Sequence, residues 1–220
     1  MTQIIQQAIV IGGTGLVGRN LITQLNQCSS CEKITAIVRH YEDSLASLAK
    51  VEQIICADFS TLTALQVQGH SHAFSCLGST IAKAGSQAAF YQIDFELNAH
   101  FAALFQGSAT DYLLVSAMGA DPKSRFFYNR VKGELEQRIK TLDLAQVSII
   151  RPSLLLGERS EQRRMEQWGQ QAFSGLGKLL PAKFRYKPVT GEQVASTLVS
   201  VAQSQIEKFQ IYDNLAIQAH

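Results

Sequence analysis

Residues 8–18 read Ala-Ile-Val-Ile-Gly-Gly-Thr-Gly-Leu-Val-Gly. Ile9 to Ile11 form an apolar run that predicts a buried strand. Spaced glycines follow, and an amphipathic segment opens at Leu16. Strand, glycine turn and helix is the arrangement that cradles a dinucleotide pyrophosphate. The first glycine permits the tight turn, Gly15 lets a phosphate approach the backbone, and Gly18 lets the helix pack close to the strand. The helix N-terminus then offers free N–H groups and a positive dipole end. Gly12, Thr14, Gly15, Leu16, Val17 and Gly18 are therefore candidate cofactor contacts. No Gly-Lys-Ser/Thr follows, which excludes a mononucleotide phosphate loop.

Outward from this stretch, short apolar runs alternate with longer helical segments. The pattern predicts strands at Gln7–Gly12, Lys33–Val38, Gln53–Cys56, His72–Leu77, Tyr112–Ser116, Gln146–Arg151 and Phe209–Asp213. It predicts helices near Leu16–Asn26, Leu62–Val67, Ser86–Gln106, Arg125–Leu142 and Gly191–Ser204. Near-continuous apolar strands between helices imply a parallel sheet covered on both faces. With the glycine turn after the first strand, the fold class is α/β, a doubly wound parallel sheet of the Rossmann type. Residues 1–220 read as one nucleotide-binding domain, with an irregular substrate-side excursion over 157–188 that forms a small C-terminal lobe.

The 220 residues are 46% hydrophobic and 17% charged, as in ordinary globular proteins. The net charge of +2 is dispersed, with no basic cluster beyond Arg163-Arg164. Nothing here argues for nucleic acid. No apolar run reaches the length of a membrane span, and the first residues lack a secretory signal, so a cytoplasmic protein is expected. Cys56 and Cys76 fall in apolar runs and read as small core residues. Cys28 and Cys31 form a C-x-x-C in a polar connection, without a second pair to complete a metal site.

Ligands of such sheets collect at the carboxyl ends of the strands. The second strand ends at Arg39, where a carboxylate would hold an adenosine 2′-hydroxyl. A guanidinium there suits a 2′-phosphate and favours NADP(H) over NAD(H). The third strand ends in Asp58-Phe59. Asp58 either accepts from the adenine amino group or caps the following helix, while Phe59 flanks the ring. The fourth ends in Leu77-Gly78-Ser79, small residues that let a ribose and phosphates approach.

The fifth strand ends at Ser116, and Tyr128 and Lys132 follow in Tyr128-Asn129-Arg130-Val131-Lys132. Residues i and i+4 share a helix face, so both enter the same cleft. A phenol is a poor acid or base at neutral pH until a neighbouring ammonium favours its ionised form. The pair can then exchange a proton with a carbonyl or alcohol oxygen, with Ser116 polarising that oxygen.

Together these features resemble the short-chain dehydrogenase/reductase superfamily, and most of all its short atypical members, the NAD(P)-binding oxidoreductases similar to the human Tat-interacting protein. Three further blocks carry the resemblance: Cys76 to Thr80 with Lys83-Ala84-Gly85, Ser116 to Asp121 with Tyr128 to Glu134, and Arg151-Pro152-Ser153 through Arg159. The resemblance implies that Pro152 lies against the nicotinamide. It also implies that Asn98, on the helix before the fifth strand, supports the active-site lysine through water. Many relatives carry two or three serines where this chain has Ser116-Ala117-Met118. If the catalytic hydroxyl belongs at the second of these positions, Ala117 has replaced it.

The reading is an NADP(H)-dependent oxidoreductase acting on an unidentified small-molecule carbonyl, alcohol or double bond, with Ser116, Tyr128 and Lys132 as catalytic residues. The alternative is a non-catalytic NADPH-binding sensor or scaffold that regulates a protein partner. Specificity falls to residues 157–188, with Arg163, Arg164, Trp168, Phe173 and Phe184. The long helices after the fourth and fifth strands leave a homodimer open.

Overall fold

The structure, a computed structural model, describes residues 4–156 and 185–220. Seven strands form one sheet: β1 (Gln7–Ile11), β2 (Lys33–Val38), β3 (Val51–Ile55), β4 (His72–Ser75), β5 (Asp111–Val115), β6 (Gln146–Ile150) and, late in the chain, β9 (Phe209–Tyr212). Their order is β3-β2-β1-β4-β5-β6-β9, and every neighbouring pair is parallel. The chain winds outward from β1 to β3, returns to β4 and winds the other way. The order therefore reverses between β1 and β4, which opens the crevice where such sheets bind ligands. A small parallel pair joins β7 (Leu155–Leu156) to β8 (Val189–Thr190).

The pleat sorts the strand residues onto two cores. Ala8 and Val10 face Val17, Leu21 and Leu25 of α1 (Leu16–Gln27), together with Val194, Leu198 and Val201 of α8 (Gly191–Ser204). Ile9 and Ile11 face the other way, toward Phe101 of α6 (Asn98–Ala103) and Leu135 and Ile139 of α7 (Phe127–Lys140). Each such fully buried aliphatic side chain contributes roughly 1.5–3 kcal/mol. A strand with apolar residues on both faces must be covered on both, and that covering fixes the three-layer arrangement. Thr190 caps α8 through a reciprocal box with Gln193, which sets where that helix begins.

Several expected boundaries move. β3 begins at Val51, because Val51 continues the pairing with Ile34. Gly12, Leu77, Ser116 and Arg151 lie just beyond their strands, in the loops that carry the site. Short helices at α2 (Asp43–Ala46), α3 (Ala64–Val67), α4 (Ile81–Ala84) and α9 (Asn214–Ile217) punctuate the connections. The single helix expected over 86–106 is α5 (Gln87–Tyr91), a π-helical turn (Gln92–Leu97) and then α6. A π turn holds an extra residue and rotates the side chains that follow it. The excursion expected over 157–188 lies outside the described residues from 157 to 184, and with it Arg163, Arg164, Trp168, Phe173 and Phe184.

Candidate functional site

The glycine turn takes the conformation its sequence requires. Gly12 has φ +79°, and a Cβ there would fall 2.5 Å from the backbone carbon of Cys76. Gly18 packs so closely that a Cβ would meet the Gly12 carbonyl oxygen at 2.3 Å. Gly15 is different: it is exposed, and the nearest atom to a Cβ would be the Gly12 oxygen at 3.3 Å. Gly15 is also the N-cap of α1, with no side chain bonded to the helix's first amides. Thr14 is exposed beside it, Leu16 packs beneath Gly191, and Val17 is buried in the core.

A cleft of roughly 100 Å³ opens next to this turn, lined by Gly12, Thr14, Arg39, Glu42, Phe59 and Leu77 among others. It joins the ends of β1, β2, β3 and β4 at the reversal of strand order. Arg39 is exposed at its rim, and Phe59 is buried in its wall. Glu42, an acidic residue just beyond the second strand, adds a carboxylate to the lining. Of its two readings Asp58 takes the cap: its Oδ1 accepts from the Ser60 N–H at 2.9 Å and the Ser60 hydroxyl at 2.7 Å. Those bonds hold its carboxyl below the ordinary range and leave it outside the cleft lining.

Deeper along the same edge, Tyr128 and Lys132 project one turn apart from α7. The Tyr128 ring packs on fully buried Phe90 with centroids 5.4 Å apart. Lys132 is buried, and its Nζ lies 2.7 Å from Asp94 Oδ1. Asp94 sits in the π-helical turn, fully buried, and its Oδ2 accepts from the Ser79 N–H at 2.9 Å. Burial raises the carboxyl's pKa, and Lys132 with the Ser79 N–H offsets part of that rise. Gly78 lies directly over both charged atoms: a Cβ there would come 3.4 Å from Asp94 Oδ1 and 3.6 Å from Lys132 Nζ.

Asn98, expected to support the lysine through water, accepts from Ser75 Oγ at 2.5 Å and donates to the Ile93 and Leu77 carbonyls at 2.9 and 3.3 Å. It pins the end of β4, and Asp94, one turn earlier, meets Lys132. The extra residue of the π turn rotates the two positions relative to a regular helix, a feature with no signature in the local composition.

Ser116 is also placed differently from expectation. Its Oγ donates to Glu136 Oε1 at 2.5 Å, and Glu136 is gripped by Arg151 through Nε at 3.0 Å and through Nη2. Glu136 lies two helical turns beyond Tyr128, about 12 Å along the axis. The expected role of Ser116 as a carbonyl-polarising donor is thus at odds with the geometry, because its proton is held by a buried carboxylate. Ala117 follows it, buried and without a side-chain hydroxyl. Pro152 is buried, and its carbonyl accepts from the Met118 N–H at 2.8 Å, joining the loops after β5 and β6.

These residues fit a dinucleotide. An uncapped helix start beside an open glycine backbone suits a pyrophosphate. Phe59 and Arg39 suit an adenosine end. The ammonium of Lys132, which keeps N–H donors beyond the one facing Asp94 Oδ1 at 2.7 Å, suits a diol.

No family model matches the chain. Among solved structures it shares its fold with the human epimerase family protein SDR39U1 with NADPH, at TM-score 0.63 and 14% identity, covering 94% of this chain and 74% of that one. It also shares it with gox2181, at TM-score 0.70 and 13% identity over 99% and 97% of the two chains. The UDP-glucuronic acid 4-epimerase of Bacillus cereus in complex with NAD matches at TM-score 0.70 and 10% identity, over 94% and 77%. The fold is therefore the Rossmann-type fold of the short-chain dehydrogenase/reductase and epimerase proteins.

In sequence, the chain is 31% identical over 206 residues to Protein FMP52-1, mitochondrial, of Scheffersomyces stipitis, covering 91% of this chain and 90% of the relative. It is 32% identical over 201 residues to Protein FMP52, mitochondrial, of Saccharomyces cerevisiae, covering 88% and 86%. These names overturn the expectation of a cytoplasmic protein. Organelle import is read by signals other than domain composition. On this similarity across nearly its whole length, the chain belongs to the FMP52 protein family.

Proposed function

We propose that the chain is an NADP(H)-dependent oxidoreductase acting on a small-molecule carbonyl, alcohol or activated double bond, with the mitochondrial location its relatives' names carry. The observation that carries this reading is the alignment of Tyr128 and Lys132 on one face of α7, at the same sheet edge as the glycine turn. When bound, the dinucleotide supplies the hydride. The first turn of α1 would hold the pyrophosphate, Arg39 would take the 2′-phosphate, and Phe59 and Leu77 would hold the adenosine. Lys132 keeps N–H donors for ribose hydroxyls. Tyr128 gives or takes the proton at the reacting oxygen.

A second reading is favoured by one observation. With the Ser116 proton on Glu136 and Ala117 beside it, the end of β5 offers the pair Tyr128–Lys132 no free side-chain hydroxyl to polarise a carbonyl. A preorganised donor of that kind is worth orders of magnitude in rate. A protein that binds the cofactor and reports its state to a protein partner would not need one.

Titration calorimetry with NADPH, NADP⁺ and NADH separates the readings. Tight binding of both NADP forms with much weaker NADH supports the oxidoreductase. A large preference for NADPH over NADP⁺ supports the sensor. No binding of any of them refutes both.

A further inference from the structure

Every buried charge near the proposed reaction centre has an assigned partner, and one pairing has a consequence for the cofactor. Asp94 is fully buried and Lys132 nearly so, with Nζ and Oδ1 2.7 Å apart. Asp94 belongs to neither the glycine turn nor the helix of Tyr128. It reaches the lysine from the π-helical turn, and its second oxygen ties down the loop after β4 through the Ser79 N–H. The two charged atoms lie beneath Gly78, in the loop whose Leu77 lines the cleft.

We infer that Asp94 is a positioning residue that cancels the charge of Lys132 at the nicotinamide end of the site, and so lets the site accept the oxidised and reduced cofactor with similar affinity. This rests on the dinucleotide reading above. The two redox forms share their phosphates and adenosine and differ by the positive charge of the oxidised ring. A bare ammonium in a buried position disfavours that ring, whereas an ammonium paired with a carboxylate presents no net charge to it. Lysine has three N–H donors. One faces Asp94, and the others are available to acceptors on the ligand. The carboxylate thus removes the repulsion without removing the donors. At the separations of neighbouring groups in a partly solvated site, one uncancelled charge changes a charged ligand's affinity on the order of tenfold.

The test is calorimetric titration of NADP⁺, NADPH and 2′-phospho-ADP-ribose into the wild-type protein, Asp94→Asn, Lys132→Met and the double variant. The fragment lacks nicotinamide and reports the adenosine half alone. Expected are similar affinities for the two redox forms in the wild type and a shift of about tenfold toward NADPH in Asp94→Asn. Lys132→Met should shift toward NADP⁺, and the double variant should return close to the wild-type ratio. Fragment affinity should stay within about twofold throughout.

A redox ratio unchanged in Asp94→Asn, with fragment binding intact, overturns the inference. If Asp94→Asn fails to fold, Lys132→Met decides alone: no shift toward NADP⁺ overturns it. If the wild type binds the fragment yet neither full dinucleotide, Asp94 has no such role. If it binds none of the three, the dinucleotide reading itself fails and takes this inference with it.

Discussion

Ser116 Oγ donates its proton to Glu136 Oε1 at 2.5 Å, and this one bond joins the end of β5 to α7 and, through Arg151, to the end of β6. Glu136 is buried and its partner Arg151 only partly so, with 29% of the side chain exposed. Beside that carboxylate the guanidinium's pKa rises further above its already high ordinary value, an effect of the hydrogen bonds from Arg151 to Glu136. Glu136→Gln keeps the shape and removes the charge. It should lower stability by about 1–3 kcal/mol, because Arg151 loses its charged acceptor and Ser116 its strong one. Urea unfolding measures this, and an unchanged midpoint would show the network to be energetically idle.

Tyr128→Phe removes one oxygen and leaves the packing on Phe90 in place. Turnover of any substrate that the wild type reduces should fall at least 100-fold, on the order that a positioned proton donor supplies. The dissociation constant for NADPH should remain within about twofold, since the phenol is assigned no cofactor contact. Steady-state assays and calorimetry on the same preparation give both numbers. Full activity in this variant would remove Tyr128 from the chemistry.

Arg39 stands at the rim of the cleft that Glu42 also lines. Arg39→Ala should weaken NADPH binding by about 10- to 100-fold, the loss of one charge-assisted contact to a phosphate. NADH, lacking that phosphate, should be affected little. An equal loss for both dinucleotides would assign Arg39 to the shared part of the ligand and return the preference to Glu42.

Asp111, at the start of β5, is largely buried, and this pushes its carboxyl up to about 6. The native state therefore holds a proton that an unfolded chain, with an aspartate near 3.9, gives up. Between those two values the folded form binds more protons, so this group adds stability as pH falls from about 7 toward 4. His72 lies 3.8 Å away, and burial lowers its pKa, which works in the opposite direction below its ordinary value. Comparing wild type with Asp111→Asn removes most of the histidine's contribution. The wild type should gain stability relative to the variant as pH drops from 7.5 to 4.5 in urea titrations. A pH-independent difference would contradict the raised carboxyl.

What the sequence determined on its own is the local, periodic part. Apolar runs such as Ile9–Ile11 must be buried on both faces, the glycines at 12, 15 and 18 admit only a tight turn into a helix, and Tyr128 and Lys132 share a face by helical geometry. Those constraints act within a few residues, so the doubly wound sheet and the place of the candidate nucleotide site on it could be read without coordinates. The partners of the charged and polar groups were decided by tertiary structure. Asp94 meets Lys132 directly, and Asn98, one turn on, bonds Ser75 and two backbone carbonyls, because a π-helical turn rotates the helix at this point. Ser116 meets Glu136, 20 residues away in the chain, because α7 crosses the end of β5 at that depth. Asp58 turns to Ser60 because a tight turn offers its N–H first. Helical and strand periodicity say which face a residue occupies; only packing says what stands opposite it.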